Sequence, residues 1–242
     1  MIVTLNEVEQ WCLRAMAGSG APPGVDEDAA AAAAWLTARG FLALEALIAA
    51  LDRWRDDPSA TELSETSSQS PAQRVDAGGR SAVFLAGALI DGALAAAKRT
   101  RKPTTLHVER LTDPIFLLPV TLPYARRGWA FELSWRTAEP QVAVGAQVIA
   151  DGPFLLGDEC RLLDAGPVSL SIGCGQETLD GGAEVAVRTE ELSRRYAATL
   201  ARGVEVADET WAALKTHGRR ALVPASAESR ARGAGAETSD NE

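Results

Sequence analysis

A glycine turn followed by a long apolar segment is the feature of this sequence best suited to bind a ligand. The stretch VDAGGRSAVFLAGALIDGALAAAK, Val75–Lys98, opens with an aspartate and two glycines. Free amides of Gly78 and Gly79 at a helix start, together with Arg80, could bind a carboxylate or a phosphate. Because the spacing is neither the G-x-G-x-x-G fingerprint nor a P-loop, a strand-to-helix turn that needs positive φ angles is the second interpretation.

A histidine and a glutamate could form an acid–base pair. His107 and Glu109 are two residues apart, and on a strand such residues lie on the same face. A carboxylate beside an imidazole tunes the imidazole for proton transfer, so we predict both as candidate catalytic residues, with Asp113 nearby. The alternative is an exposed strand face that carries polar side chains. For His217, which precedes a glycine at a predicted helix end, we expect a structural role.

Metal binding and nucleophilic catalysis have little support in the sequence. The two histidines lie far apart, and neither H-x-x-x-H nor C-x-x-C spacing occurs, so we predict no metal site. The G-x-S-x-G elbow is also missing, and the cofactor, if there is one, stays unknown. Cys12, Cys160 and Cys174 form no disulfide framework, which predicts a reducing compartment and a cytoplasmic protein.

Composition narrows the range of partners. The 242 residues carry a net charge of -9, which disfavours binding to nucleic acid. A membrane span needs roughly 20 apolar residues. The apolar run Ser81–Ala97 is short and contains Asp91, so we expect no membrane span. The N-terminal stretch MIVTLNEVEQW lacks the pattern of a signal peptide.

The first hundred residues have the periodicity of helices. Thr4 and Glu7 fit a capping box, and Asp26 is predicted to cap a second helix. A third helix with one apolar stripe comes next, and Ser81 is predicted to cap a long buried helix. The cations at the end of that helix favour its dipole, and we interpret them as a solvated helix end, with a binding patch as the alternative: Lys98, Arg99, Arg101 and Lys102.

Beyond Pro103 the apolar residues alternate with a period of two, which predicts strands. The spacing of the turns predicts an antiparallel or mixed sheet over residues 104–188. A helix over Glu190–Arg202 is predicted to follow, and Asp208 is predicted to cap a last helix that runs through His217. The predicted fold is α+β: an N-terminal helical layer, a buried helix entered by a glycine turn, a central sheet and C-terminal helices. We predict one domain over residues 1–224 and a flexible tail over 225–242, or else a tail that orders on binding a ligand or partner.

Two resemblances to known families add to these patterns. The segment MIVTLNEVEQWCLRA at the start and VPASAESRARGAGAETSDNE at the end resemble an uncharacterised bacterial family described only as a domain of unknown function. This resemblance covers nearly the whole chain and implies no activity.

Three shorter segments resemble the malate/L-lactate dehydrogenase family, whose NAD(P)-binding fold is not a Rossmann fold. They are Trp35–Leu51, Val75–Lys98 and Arg202–Leu214. That family carries D-S-H-G soon after an Arg-Gly and N-H-F-G after its second strand. Here FLALE comes after Arg39-Gly40, and RLTDP stands where the second motif is expected, so both histidines are missing. The resemblance implies a related scaffold, and no catalytic or cofactor residue is carried over.

Two functions from different classes are compatible with these features. The first is a metabolic enzyme or a binder of a small organic acid or phosphate, on a dehydrogenase-like scaffold without the usual catalytic histidines. In it Gly78, Gly79 and Arg80 would bind the anion, and His107 and Glu109 would handle protons. The alternative is a non-catalytic accessory or partner subunit of a metabolic complex. With either function, the chain could also bind a second copy of itself or another protein.

Overall fold

The protein is described from a computed structural model that defines residues 1–56, 64–67, 73–136, 143–159, 162, 166–176 and 185–221. Cys160 and the predicted tail over 225–242 lie outside these residues. The prediction of a single domain over residues 1–224 stays a prediction. The fold is α+β, as the sequence pattern predicts.

Helices form the first and last parts of the described chain and also flank its sheet. They are α1 (Leu5–Gly18), α2 (Val25–Thr37), α3 (Ala43–Asp56), α4 (Ala82–Thr100), α5 (Leu117–Ala125), α6 (Thr189–Arg202) and α7 (Asp208–Arg219). The helix α1 begins at the predicted capping box, because the Thr4 side chain accepts from the Glu7 amide while the Glu7 carboxylate accepts from the Thr4 amide. It packs against α2 and α7, so the first and last described helices lie side by side.

Strands form two sheets within the described residues. They are β1 (Ile2–Val3), β2 (Ser64–Ser67), β3 (Gln73–Asp76), β4 (Thr104–Leu111), β5 (Ala130–Arg136), β6 (Ala143–Ile149), β7 (Gly152–Leu156), β8 (Val168–Gly175), β9 (Val185–Val187) and β10 (Val204–Glu205). The larger sheet has the order β2-β3-β4-β8-β5-β6-β7-β9, and β1 pairs with β10 apart from it. Among these strand pairs only β3–β4 is parallel, so the sheet is mixed and mostly antiparallel.

The two faces of the large sheet differ as the alternating pattern predicts. Leu106, Ile172, Leu133 and Ala146 lie side by side on β4, β8, β5 and β6, and all four are buried. The helices α4 and α5 pack on this sheet. Burying one face against helices fixes the register of each strand, because a shift of one residue would expose the apolar set.

The apolar segment after the glycine turn forms the long helix α4. Ser81 is its N-cap, as predicted, and the Ser81 hydroxyl accepts from the Val83 amide at 3.1 Å. Phe84, Leu85 and Leu89 are each at most 6% exposed, so the helix is buried in the protein. No helix among the described residues is long and apolar enough to span a membrane.

Three details of the sequence prediction were wrong. The helix α5 interrupts the region 104–188 that was predicted as sheet. The sequence pattern did not indicate this helix, because its apolar run contains two prolines and lacks a clear helical period. The N-cap of α2 is Gly24 rather than Asp26, whose carboxylate instead accepts from the Gly24 and Glu27 amides. Asp208 lies inside the first turn of α7, where it pairs with the N-terminal ammonium group.

Candidate functional site: a cavity between two arginines

The parallel pair β3–β4 places two chain segments at one end of the sheet, which we call the carboxyl end of β4. After β3 the chain turns through Asp76–Ser81 into α4, and after β4 it continues into Thr112 and Asp113. Backbone hydrogen bonds hold the two segments together, since the Ala82 amide donates to the Thr112 carbonyl and the Thr112 amide donates to the Arg80 carbonyl, both at 2.9 Å. In sheets with parallel strands, ligands bind beyond the carboxyl ends of the strands.

The glycines of the turn adopt the conformation that the sequence suggests. Gly78 has φ 64° and Gly79 has φ 83°, a region in which side chains are strained. The Gly78 amide donates to Asp76 Oδ1 at 2.8 Å, and the Gly79 amide donates to the Arg110 carbonyl at 2.7 Å. Both amides are therefore engaged within the protein, and an anion at this turn would contact side chains first.

One of these side chains is Arg80. A cavity of about 180 Å³ lies between α3, the turn and the start of α4, and both Arg53 and Arg80 line it. Its apolar wall is the stacked pair Trp54 and Phe84, whose rings lie 4.5 Å apart with planes inclined by 20°. We call it the Arg53–Arg80 cavity. Two guanidinium groups beside an aromatic wall suit a small organic anion.

The buried residue Asp113 forms an ion pair with Arg53, one of the two arginines that line the cavity. Its side chain is 1% exposed, and its Oδ2 atom accepts from Arg53 Nη2 at 2.7 Å and from the Ser81 hydroxyl at 2.6 Å. The Thr112 hydroxyl donates to the same oxygen at 3.1 Å. Arg53 is therefore anchored at the cavity by a buried oxygen that the Ser81 and Thr112 hydroxyls also contact.

The electrostatics of Asp113 are those of a buried acid. Burial raises the pKa of its carboxyl above the ordinary 3.8, while the hydrogen bonds from Ser81 and Thr112 and the charge of Arg53 oppose the rise. Its second oxygen, Oδ1, is buried without a hydrogen-bond partner among the described residues. Asp113 also has φ 54°, an uncommon conformation for a residue other than glycine. Strained, buried polar residues of this kind cluster at functional sites.

Arg80 differs from Arg53 in having no fixed partner within the described part of the chain. Among the described residues, its guanidinium makes no hydrogen bond or ion pair, although its charge contributes to lowering the pKa of Asp76. The larger causes of that lowering are the hydrogen bond from Arg110, which forms an ion pair with Asp76, and the bond from the Gly78 amide. Arg80 therefore lines the cavity with hydrogen-bonding capacity to spare.

The residues of the predicted acid–base pair are not part of the cavity lining. His107 and Glu109 project from the polar face of the sheet, where His107 Nδ1 lies 3.0 Å from the Ser171 hydroxyl and Glu109 lies 3.5 Å from Arg74. Neither residue lines the Arg53–Arg80 cavity. The structure thus places Gly78, Gly79 and Arg80 at the cavity. Glu109 adjoins the turn through its backbone, since its carbonyl accepts from the Ala77 amide at 2.8 Å, but its side chain does not line the cavity. Their acid–base role stays a prediction.

The remaining chemically interesting residues are structural. His217 is 4% exposed, and its ring nitrogens contact the Ser19 hydroxyl and Arg220 at 3.2 Å and Asp52 at 3.4 Å. Burial, the largest effect, lowers its pKa below 6.5. Burial also raises the pKa of the Cys12 thiol, and that of Cys174 to about 11, so both are poor nucleophiles. No cluster of metal-binding side chains is found among the described residues.

Sequence reasoning missed Arg53 and named Asp113 only as a neighbour of the predicted acid–base pair. Arg53 has the pattern of an ordinary polar residue near a helix end, and 60 positions separate it from Asp113. The available signal was the polar pair Thr112-Asp113, which directly succeeds a strand and precedes a proline.

The N-terminal part of the chain is similar to a known protein family. Residues 3–81 match the family model described as a protein of unknown function, DUF3726. The predicted resemblance to such a family is thereby confirmed over this segment, which ends at Ser81, the N-cap of α4. No curated protein sequence matches the chain.

Solved structures share the fold over most of the chain. A dehydrogenase from Sinorhizobium meliloti has a TM-score of 0.68 and 12% identity, with 90% of this chain and 99% of that chain covered. Malate dehydrogenase from Pyrococcus horikoshii has a TM-score of 0.63 and 9% identity, with 92% and 96% covered. Sulfolactate dehydrogenase from Methanocaldococcus jannaschii has a TM-score of 0.61 and 9% identity, with 91% and 97% covered. The predicted malate/lactate dehydrogenase-like fold is thus confirmed.

Proposed function

We propose that this protein binds a small organic acid in the Arg53–Arg80 cavity, on a dehydrogenase-like scaffold. The observation that carries the proposal is the convergence of two guanidinium groups, one fixed by Asp113 and one without a partner among the described residues, on a cavity with an aromatic wall. The acid's carboxylate would lie between Arg53 and Arg80, and its carbon chain against Trp54 and Phe84.

The size of the cavity limits the ligand. Pockets for drug-sized ligands have volumes of about 300–1,000 Å³, and this cavity has about 180 Å³. A molecule with few carbon atoms fits within it, whereas most of a nicotinamide dinucleotide would have to lie outside it. The engaged amides of Gly78 and Gly79 also leave neither glycine with a free backbone donor for a pyrophosphate. The proposed function is therefore the binding of a small organic acid, without hydride transfer.

The fold neighbours suggest which acids to test. The names of two of them refer to malate and to sulfolactate, both small organic acids. We carry over only this chemical class as a choice of probes, because identities near one tenth show a shared fold and nothing finer.

A thermal-shift titration tests the proposal directly. Malate, sulfolactate and inorganic phosphate are added separately, with and without NAD(H) or NADP(H), since a ligand of the folded state raises the melting temperature. We expect stabilisation by at least one of the acids, and a loss of about tenfold or more in its affinity in Arg80→Gln, because a hydrogen bond to a charged group is removed. Stabilisation by none of the acids at millimolar concentration contradicts the proposal.

The matched control is Arg55→Gln. Arg55 lies on α3 two residues from Arg53, so its loss removes the same charge nearby without changing the lining of the cavity. An equal loss of affinity in both variants would indicate a general field effect and would also contradict the proposal. The alternative of a partner subunit, and the acid–base role of His107 and Glu109, stay predictions.

A further inference from the structure

A second cavity lies at the opposite end of β4, where β4 and β5 begin and β8 ends. Its volume is about 580 Å³, within the range typical of small-molecule pockets. The residues that line it belong to the end of α4 and to the adjoining strand ends: Ala97, Lys98, Arg101, Lys102, Pro103, Trp129, Gly175 and Gln176. We call it the Trp129 cavity. It is separate from the Arg53–Arg80 cavity and shares no residue with it.

Three cations line this cavity, and no acidic residue is among the described residues that line it. Lys98, Arg101 and Lys102 make no ion pair with any described residue. The chain as a whole has 33 acidic and 24 basic side chains, so a group of cations without acidic partners in the described part of the chain runs against its composition. Such a group attracts ligands with more than one negative charge.

The cations are not needed to complete the helix end. The Arg101 amide donates to the Ala97 carbonyl at 2.9 Å, and the Thr100 hydroxyl donates to the Ala96 carbonyl at 3.0 Å. Because the backbone and a hydroxyl already serve these carbonyls, the three charged side chains remain available to a ligand.

Arg101 occupies a position that normally favours glycine. It is the C-cap of α4 with φ 54° and ψ 30°, the left-handed conformation in which helices commonly end with glycine. This conformation is strained for a residue with a Cβ atom, which comes too close to the following carbonyl oxygen. An arginine here therefore places a cation at the cavity at some expense of stability.

Trp129 supplies a flat apolar surface beside the cations. Its side chain is half-buried, and the Lys98 ammonium lies 5.8 Å from the centre of its ring. An exposed indole face can stack an aromatic ring, as aromatic side chains stack bases in complexes with single-stranded nucleic acid.

We propose that the Trp129 cavity binds a small aromatic phosphate, a molecule with a flat ring and at least two negative charges. The ring would stack on Trp129, and the phosphate groups would contact Lys98, Arg101 and Lys102. This site is independent of the proposed function, because it lies at the other end of β4 and uses different residues.

Isothermal titration of the full chain with three probes separates the two parts of the site. ADP carries both ring and phosphates, inorganic pyrophosphate carries charge alone, and adenosine carries the ring alone. We expect ADP to bind at least about tenfold more tightly than either of the other probes, since both stacking and charge contribute. We also expect this affinity to fall as salt increases. No ADP binding, or equal binding of ADP and pyrophosphate, overturns the proposal.

Variants identify the residues involved and keep folding apart from binding. Arg101→Gly removes a cation while relieving the left-handed strain, so its melting temperature should equal or exceed that of the unaltered protein while ADP binds about tenfold more weakly. Arg99→Gln is the matched control, because Arg99 lies in the same helix turn but does not line the cavity. Trp129→Ala should abolish the preference for ADP over pyrophosphate, and Trp129→Phe should retain it. Equal effects of the changes at residues 99 and 101, or an unchanged preference in Trp129→Ala, overturn the proposal.

Discussion

The cations at the two ends of β4 differ in whether a buried acidic residue holds them. At the carboxyl end, Arg53 is held by the buried Asp113, and the adjoining turn is fixed by backbone hydrogen bonds. At the amino end, Lys98, Arg101 and Lys102 extend from a helix end without acidic partners among the described residues. The first arrangement anchors one cation to a buried acid, which suits the small ligand proposed for the Arg53–Arg80 cavity. The second leaves its cations without such an anchor, which suits the larger and more highly charged ligand proposed for the Trp129 cavity.

The aromatic walls of the two cavities should differ most in their contribution to stability. Trp54 is 5% exposed, stacks on Phe84 and donates its indole N–H to the Ser19 carbonyl at 3.0 Å. Replacing it with alanine should lower the free energy of unfolding by about 3–5 kcal/mol, as for other large buried aromatic residues. Trp129→Ala should cost well under half as much, because that ring is half-buried. Urea denaturation of both variants provides the measurement, and equal losses would remove the distinction between the two ends.

The buried carboxylate should give the next largest effect. Asp113→Ala leaves Arg53, Ser81 and Thr112 without their shared acceptor, and we expect a loss of about 2–3 kcal/mol in the free energy of unfolding. Asp113→Asn keeps an oxygen that can accept from the same donors, so its cost should be less than half of that. Urea midpoints of the two variants decide the matter. An unchanged midpoint in Asp113→Ala would show that the network adds nothing to stability.

A pH effect of smaller size should arise from the helical layer beside the carboxyl end. Burial, above all, holds the pKa of His217 below 6.5, against the opposing attraction of Asp52, and the charges of Arg220 and Arg55 add to the lowering. The unfolded chain therefore takes up a proton before the folded protein does, and stability falls as the pH drops from neutral through 6.5 towards the folded pKa. His217→Gln should flatten this part of the profile. Melting temperatures of both proteins across mildly acidic pH test the prediction, and parallel profiles would contradict it.

The outcome of the sequence analysis differed between secondary structure and site. The capping box at Thr4, the cap at Ser81 and the alternating strands were predicted correctly because each depends on neighbours within a few residues. The helix α5 was missed since its period is obscured by Pro119 and Pro123. Proline weakens local helix signals, whereas packing against the sheet can still stabilise the helix.

The candidate site also combines features that a short stretch of sequence shows with contacts that only the fold creates. Gly78, Gly79 and Arg80 could be singled out because a glycine turn before an apolar helix is visible in a short stretch. The engagement of their amides could not, since the Gly79 amide bonds to Arg110 on another strand. Arg53 and Asp113, 60 residues apart, meet only through the packing of α3 against the end of β4.

The sequence by itself determined the α+β class, the burial of α4 and the positive φ angles at the turn, because these depend on periodicity and on the freedom of glycine. The tertiary structure alone decided which charges are paired. It paired Arg53 with Asp113 and left Arg80 and the cations beside Trp129 without such partners among the described residues. It also kept His107 and Glu109 out of the lining of the Arg53–Arg80 cavity. The physical reason is that pairing of charges depends on distances across the folded chain, whereas local periodicity records only which side of each element is apolar.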